Sequence, residues 1–268
     1  MEFLVSPPSS ARLTGFLVQF VRNSPSVSAP SSQPLEPVRI ETTRDLLEAL
    51  RQGRSLVGAN LEGAYLSRGL FDRIRMPKAN LTRANLRSLS MQQADLRLCN
   101  FRRTEMERAN FAASDLRGSS FSQALGDYSN FTAAKLDKSS FQEGHFSHTI
   151  FREASLVAAN LTGGNFFAAD FRQANLFRCN LSQAVLACCQ LQQANFDQAL
   201  LVGANLQEAQ IEGASFVGAD FTDAKLSEEM RKFLIEHASG TNELTQRDTL
   251  TTLLAGLKPK SRKLFGLL

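Results

Sequence analysis

The sequence predicts an all-β solenoid, a chain that turns a corner every five residues and stacks on itself. Two observations predict it. Every fifth residue from Leu56 to Leu226 is Leu, Phe, Met or Ile, with Gly126 the one exception among 35 positions. The residue two places earlier is Ala, Gly, Ser, Thr or Cys in 32 of those 35 cases, the others being Arg54, Ile74 and Leu89. No insertion breaks this register. A helix would scatter such residues, about 140° apart at ~100° per residue, and a flat strand would send them to alternating faces. A corner every five residues keeps the large residue inside each time, with the small one beside it. So short a unit cannot bury its own face and must stack on its neighbours.

The elements follow in chain order. Residues 1–40 are rich in Ser and Pro and predict a disordered leader. No acidic residue lies between Phe3 and Leu35, a composition that suits an organelle transit peptide, a type III secretion leader or a plain tail. Residues 41–55 predict a short helix that covers the open start of the solenoid. Thr42 or Thr43 is placed to cap it, Leu46, Leu47 and Leu50 share a face, and Gly53 is placed to end it. The repeats occupy 56–226. Residues 227–268 predict a helical cap and a basic, apolar tail. Ser227 is placed to start one helix, and Thr245 with Asp248 resembles a capping box for a second.

Six triplets carry a resemblance: Ala59-Asn60-Leu61, Ala79-Asn80-Leu81, Ala84-Asn85-Leu86, Ala109-Asn110-Phe111, Ala174-Asn175-Leu176 and Ala204-Asn205-Leu206. They look like the A(D/N)LXX signature of the pentapeptide-repeat family. That resemblance implies a right-handed quadrilateral parallel β-helix with four repeats per coil and, here, short α-helical caps at both ends. Nearly nine coils would make a rod roughly 40 Å long at about 4.8 Å per coil. Residues twenty apart would stack, so one interior ladder would hold Phe71, Met91, Phe111, Phe131, Phe151 and Phe171 with offset rings. Gly126 would leave a gap between Met106 and Phe146, expected to distort the coil locally.

Chemistry-bearing motifs are sparse. The chain has no phosphate-binding Gly-rich loop, nucleophile elbow or HExxH. His145 and His148 near Glu143 lack a third ligand at set spacing and are expected on an outer wall. The four cysteines, Cys99, Cys179, Cys188 and Cys189, match no metal pattern and are expected to be small buried residues in a reducing compartment. No catalytic, cofactor or metal site is expected, and no segment is long enough to span a bilayer.

Charge is divided along the chain. Residues 51–120 carry 13 Lys/Arg and 6 Asp/Glu, whereas 121–230 carry 6 and 12. The register places Arg83 and Arg103 in one column with Arg102 beside them, and Arg97 and Arg117 in another, as candidate contacts for an acidic partner. Val157, Phe177 and Val217 share an outward column broken by Asp197, a candidate apolar contact or homodimer face, while Phe167 points out opposite. These features suit a non-enzymatic protein-interaction scaffold, most simply cytoplasmic, with a secreted bacterial effector or a plastid or thylakoid protein as the alternatives. The resemblance also implies a role known in the family, regulation of gyrase-type topoisomerases by imitating duplex DNA. That role relies on strongly acidic walls, and the basic first half departs from it. Nucleic-acid binding through the arginines is a third reading, weakened by the lack of interleaved aromatics.

Overall fold

The structure is a computed structural model that describes residues 39–237 and 239–255. Of the disordered leader expected over residues 1–40, residues 1–38 lie outside the described residues, but Arg39 and Ile40 are ordered on the first coil: Arg39 bridges Asn60, and Ile40 is buried and donates its N–H to Asn60 O at 2.9 Å. The basic, apolar tail from residue 256 also lies outside the described residues.

Each outward-facing residue at the middle of a repeat forms a parallel bridge to the residue twenty later, as in Asn60↔Asn80, Asn80↔Asn100 and Asn100↔Ser120, and on to Asn205↔Lys225. Turns recur every five residues. A coil therefore contains twenty residues, four corners and four short sides. The corner is closed by a backbone bond such as Ala84 N–H to the Leu81 carbonyl, 3.0 Å. Its third residue has positive φ, as at Arg83 (59°) and Tyr128 (61°), the position that type II turns require.

The backbone bonds explain the Asn or Asp of the repeat. Of five N–H groups, three pair with neighbouring coils: Asn110 to Leu89 O at 2.8 Å, Phe111 to Asn130 O at 2.7 Å, Ala113 to Thr132 O at 2.8 Å. The turn takes the fourth, Ser114 to Phe111 O. The fifth, on the residue after the central one, has no backbone partner, and a lost bond there would be costly. The Asn side chain accepts it: Ala112 N–H donates to Asn110 Oδ1 at 3.1 Å, and Thr132, Thr162 and Phe177 repeat the pattern. At Ser90, His145, Ser155 and Ser215 an Asp one coil earlier takes over, whereas Ser120 and Ser140 have no such Asp. Gln92 N–H reaches Asp72, Ser147 reaches Asp127, Val157 reaches Asp137 and Val217 reaches Asp197.

The interior is filled by the large and small residues of the pattern. Phe111, Phe131, Phe151 and Phe171 stack one coil apart with centroids 5.2, 5.2 and 4.8 Å apart, as the ladder predicts. A second ladder, Phe101, Phe121 and Phe141, stacks at 4.8 and 4.7 Å and meets the first edge-on. Most hydroxyls and thiols in the small slots are buried but donate to carbonyls, as Thr104 to Phe101 O at 2.8 Å and Ser119 to Leu96 O at 2.8 Å, with Ser139 an exception.

Gly126 does not distort its coil. Its bridges and turn bond are regular, and Leu125 stays outward, 39% exposed. The gap is filled from the next coil. A Cβ at Gly126 would lie 2.3 Å from Cε1 of Phe146, and one at Gly144 2.6 Å from Cε2 of the same ring. Phe146 thus lies between two glycines, and its size replaces the missing side chain.

Among the described residues three helices flank the coils. Helix α1, Thr43–Arg51, begins with a capping box between Thr42 and Asp45 and ends before Gly53 at φ 66°. Just before it, Arg39 and Thr42 bridge in parallel to Asn60 and Tyr65, the open edge of the first coil, and Leu46 and Ala49 are buried. Helix α2, Glu228–His237, is capped by the Ser227 hydroxyl, which accepts Met230 N–H at 3.1 Å. Helix α3, Thr249–Ala255, takes Asp248 as its cap, through Thr251 N–H at 2.9 Å. Thr245 does not cap it; its own N–H is bound instead by Asn242 Oδ1, which organises the turn before the helix. Thr252 Oγ1 accepts Phe221 N–H at 3.1 Å on the final coil.

Most corner residues with positive φ are not glycine. In that region an L-residue is strained by about 1 kcal/mol relative to Gly. Ala133, at φ 54°, is an exposed corner with no side chain beyond Cβ to lose. Ala133→Gly is expected to raise stability by about 0.5–1 kcal/mol, the reverse of the usual Ala-to-Gly effect, read as an upward shift of the urea midpoint.

Candidate functional site

Outward side chains are the ones available for function, and the four corners carry most of them. The arginines fall into two groups. Arg97 grips Asp95 with both nitrogens at 2.8 and 2.9 Å, and Arg117 grips Asp115 at 2.8 and 2.6 Å. Arg75 and a longer Arg97–Asp115 contact join these into one ladder of alternating charge. The Arg97 hydrogen bonds hold the Asp95 carboxyl below its usual range, and those of Arg117 do the same for Asp115. Arg87 is likewise held by Glu105 and Glu107. Arg83, Arg102 and Arg103 differ. All three are exposed on one corner. Arg103 meets only the neutral Gln123, at 2.9 Å, and Arg83 and Arg102 have no carboxylate partner among the described residues.

The apolar column is not an open stripe. Val157 and Phe177 are half-buried, and the Arg178 guanidinium sits 5.0 Å from the Phe177 ring centre. Val217 is 45% exposed, but the chain after helix α2 returns along its corner. Gly218 N–H donates to Ser239 O at 2.7 Å, Asn242 Nδ2 to Gly218 O at 2.8 Å, Glu243 N–H to Gln198 Oε1 at 2.7 Å, and Arg178 pairs with Glu243. A repeat pattern carries no signal for this return, because Asn242 and Glu243 lie outside the register. An open depression of about 590 Å³ on the same corner is lined by Arg97, Leu98, Arg117 and Gly118 among others.

The opposite corner carries what the sequence reading noted only in part. Phe167 is 41% exposed as expected, and Tyr128 and His148 stand beside it with rings stacked at 4.9 Å. His145 and His148 are both exposed. Among the described residues no group of three or more His, Cys, Asp or Glu could hold a metal.

Cys99, Cys179 and Cys189 fill small interior slots, and burial pushes their thiols up, Cys99 and Cys189 to about 12. Cys188 departs from the expected burial, because the register places it on a corner, half-buried, with its thiol toward Glu208 at 3.4 Å. Desolvation and then Glu208 raise its pKa as well. Thiolate fraction and access together govern alkylation. Iodoacetamide is expected to modify Cys188 alone in the native protein and all four cysteines in urea, as counted by intact mass; native labelling of an interior cysteine would contradict the packing.

A family model described as pentapeptide repeats matches in eight copies, over residues 71–103, 104–143, 129–166, 165–201 and 189–227. Comparison with the curated proteins finds no match. Among solved structures, HetL, a pentapeptide repeat protein involved in heterocyst differentiation regulation from the cyanobacterium Nostoc, is 23% identical, over 68% of this chain and 93% of HetL, with a TM-score of 0.38. QnrB1, a plasmid-mediated fluoroquinolone resistance protein, is 17% identical over 66% and 98% of the two chains, with a TM-score of 0.48. A pentapeptide repeat protein from the Arabidopsis thaliana thylakoid lumen is 28% identical over 53% and 89%, with a TM-score of 0.25. With the family model matching more than half its length, on repeats whose Asn and Asp bonds are visible one by one, this chain belongs to the pentapeptide-repeat family.

Proposed function

We propose that the protein is a non-enzymatic interaction scaffold, a right-handed four-sided rod closed by α1 at one end and α2–α3 at the other, that contacts a protein partner of acidic surface through Arg83, Arg102 and Arg103. One observation carries this reading. These three guanidinium groups are exposed and free of carboxylates among the described residues, whereas Arg87, Arg97 and Arg117 are already engaged. Unpaired exposed charges steer an oppositely charged partner and fix its register. Walls held by a bond on nearly every backbone N–H present them on a rigid frame. The four free cysteines fit a reducing, cytoplasmic location, and among the described residues no helix is long and apolar enough to cross a membrane.

The test is an affinity capture with the full chain and with the triple variant Arg83→Glu, Arg102→Glu, Arg103→Glu. Proteins retained by the first at low salt and lost by the second support the reading. The same proteins retained by both would remove the arginine corner from it. Duplex DNA bound by the wild type with a steep salt dependence would replace the acidic protein by nucleic acid. Gyrase supercoiling is expected to continue in the presence of the protein, because the basic first half does not imitate a uniformly acidic duplex.

A further inference from the structure

The wall between the Arg83 corner and the Tyr128 corner changes character at mid-height. Leu125 and His145 lie on the wall, and Tyr128, His148 and Phe167 on the corner beside it. Tyr128 is 57% exposed, and the edge of Phe167 meets the His148 ring at 5.8 Å. The patch they form occupies residues 125–167, across the middle of the 56–226 span.

Charge on the same wall and its two corners is split about this patch. Towards the N-terminal end stand Arg68, Arg83, Arg102 and Arg108, all exposed and without carboxylate partners among the described residues, against one unpaired carboxylate, Glu62, while Glu105 and Glu107 are held by Arg87. At the patch and beyond it stand Asp127, Glu143, Glu208 and Asp223, none of them in an ion pair among the described residues; the cations there are Lys225 and Arg247, which is engaged by Thr222 and Asp220. The opposite wall lacks this division. There Arg75, Arg97 and Arg117 are spent on Asp95 and Asp115, Arg73 and Lys78 stay outside ion pairs among the described residues, and the other half retains Lys135, Lys138 and Arg178.

We propose that this wall is a self-association surface on which a second copy docks antiparallel, aromatic patch against aromatic patch. A two-fold operation puts one patch on both partners, so the surface must complement its own inverted image. This one does. Inversion sets the mostly cationic half of one wall opposite the mostly anionic half of the other, with Arg68 across from Glu208, whereas a parallel pair would face each half with its like. Stacked aromatic rings with a charged surround match the anatomy of a protein contact, in which a central apolar cluster is ringed by polar groups. The proposal rests on the scaffold reading and names one acidic partner surface for its arginines, the far half of a second copy.

Sedimentation of the full chain over a wide concentration range at low and high salt tests it. A dimer is expected at low salt, weakening as salt screens the wall. Tyr128→Glu with Phe167→Glu, both exposed, is expected to be monomeric with an unchanged circular dichroism spectrum. Orientation is read from spin labels on a Cys188→Ser background. Labels at Arg68→Cys of one copy and Glu208→Cys of the other should lie close. Two labels at Arg68→Cys should lie roughly 35 Å apart along the rod, at about 4.8 Å per coil. A monomer throughout, with the wall held by residues 256–268 of the same chain or by a foreign protein, overturns the pairing, as does a dimer that the double variant leaves intact or in which the Arg68 labels are the closer pair. These results leave the scaffold reading to the affinity capture, which fails or succeeds independently.

Discussion

Gly126→Leu, which restores the repeat at its single exception, is expected to destabilise the protein by about 3 kcal/mol, the upper range for overpacking a filled core. A repeat consensus argues the opposite, since consensus substitutions usually stabilise. The geometry decides between them. The space a leucine would need is taken by the Phe146 ring, whose Cε1 and Cδ1 lie 2.3 and 2.5 Å from the position of a Cβ at 126. The ring cannot retreat. Phe141 stands edge-on to it at 4.9 Å, Phe166 stacks above it at 6.0 Å, and Gly144 is small because the ring's other edge lies against it. Phe146→Leu alone leaves a void beside Gly126, and is expected to cost about 1–3 kcal/mol. Combined, the two substitutions are expected to recover most of the loss, giving a coupling of about 2 kcal/mol between residues in contact. Urea denaturation of the four proteins measures it. A stable single variant, or strict additivity, would show that the ring does not fill the Gly126 gap.

That pair also shows where the sequence was informative and where it was not. The fold was legible because a period of five has one economical solution, and the interior phenylalanines stack where a twenty-residue coil puts them. The anomaly at Gly126 was visible, but its remedy lies twenty residues away, in a Phe146 preceded by its own small partner, Gly144. Pattern reading along the chain sees a missing residue; only packing between coils shows that the neighbour has grown to replace it. The same limit applies at Thr245. Its spacing to Asp248 matched a capping box, yet Asp248 caps by itself and Asn242 orders the turn.

The outward residues were legible as positions and not as states. Register placed Arg83, Arg102 and Arg103 on one corner and Arg97 and Arg117 on another, but a count of charges weighs them equally. What separates them is the bridge residue just before the turn, two or three places earlier. Asp95 and Asp115 lie within reach of Arg97 and Arg117, whereas Asn100 precedes Arg102 and spends its oxygen on a backbone N–H. An Asp in that slot thus serves the turn and the guanidinium together, as Asp170 does for Arg172 while also holding Arg152. Burial pushes the Asp170 carboxyl up, but the Arg172 and Arg152 hydrogen bonds outweigh it and leave its pKa lowered. The apolar column is flanked at its Val217 end for a different reason. The flanking chain comes from residues 239–243, after the repeat ends, and no periodicity extends there.

Phe131→Ala is expected to cost about 4 kcal/mol, towards the upper end for a buried aromatic. Phe131 is wholly buried and central to both ladders: it stacks on Phe111 and Phe151 at 5.2 Å each and meets Phe121 and Phe141 edge-on at 5.6 and 5.9 Å. The penalty for such a deletion depends on how far the surroundings collapse into the space. Here they cannot collapse far. The rings above and below are fixed by backbone bonds between coils, Phe111 N–H to Asn130 O and Phe131 N–H to Ile150 O, both 2.7 Å. Closing the void would mean breaking them. Phe131→Leu, by contrast, supplies the aliphatic side chain that fills the equivalent slot at Leu191, and is expected to cost under about 1.5 kcal/mol. A stacked array also transmits the loss through nearest neighbours only. The Ala variant should therefore unfold over a broader urea range than the wild type, as coils on either side of position 131 lose their coupling. A narrow transition displaced by less than about 1 kcal/mol would mean that the coils can relax around the missing ring, and that the ladder is held by its backbone more than by its phenylalanines.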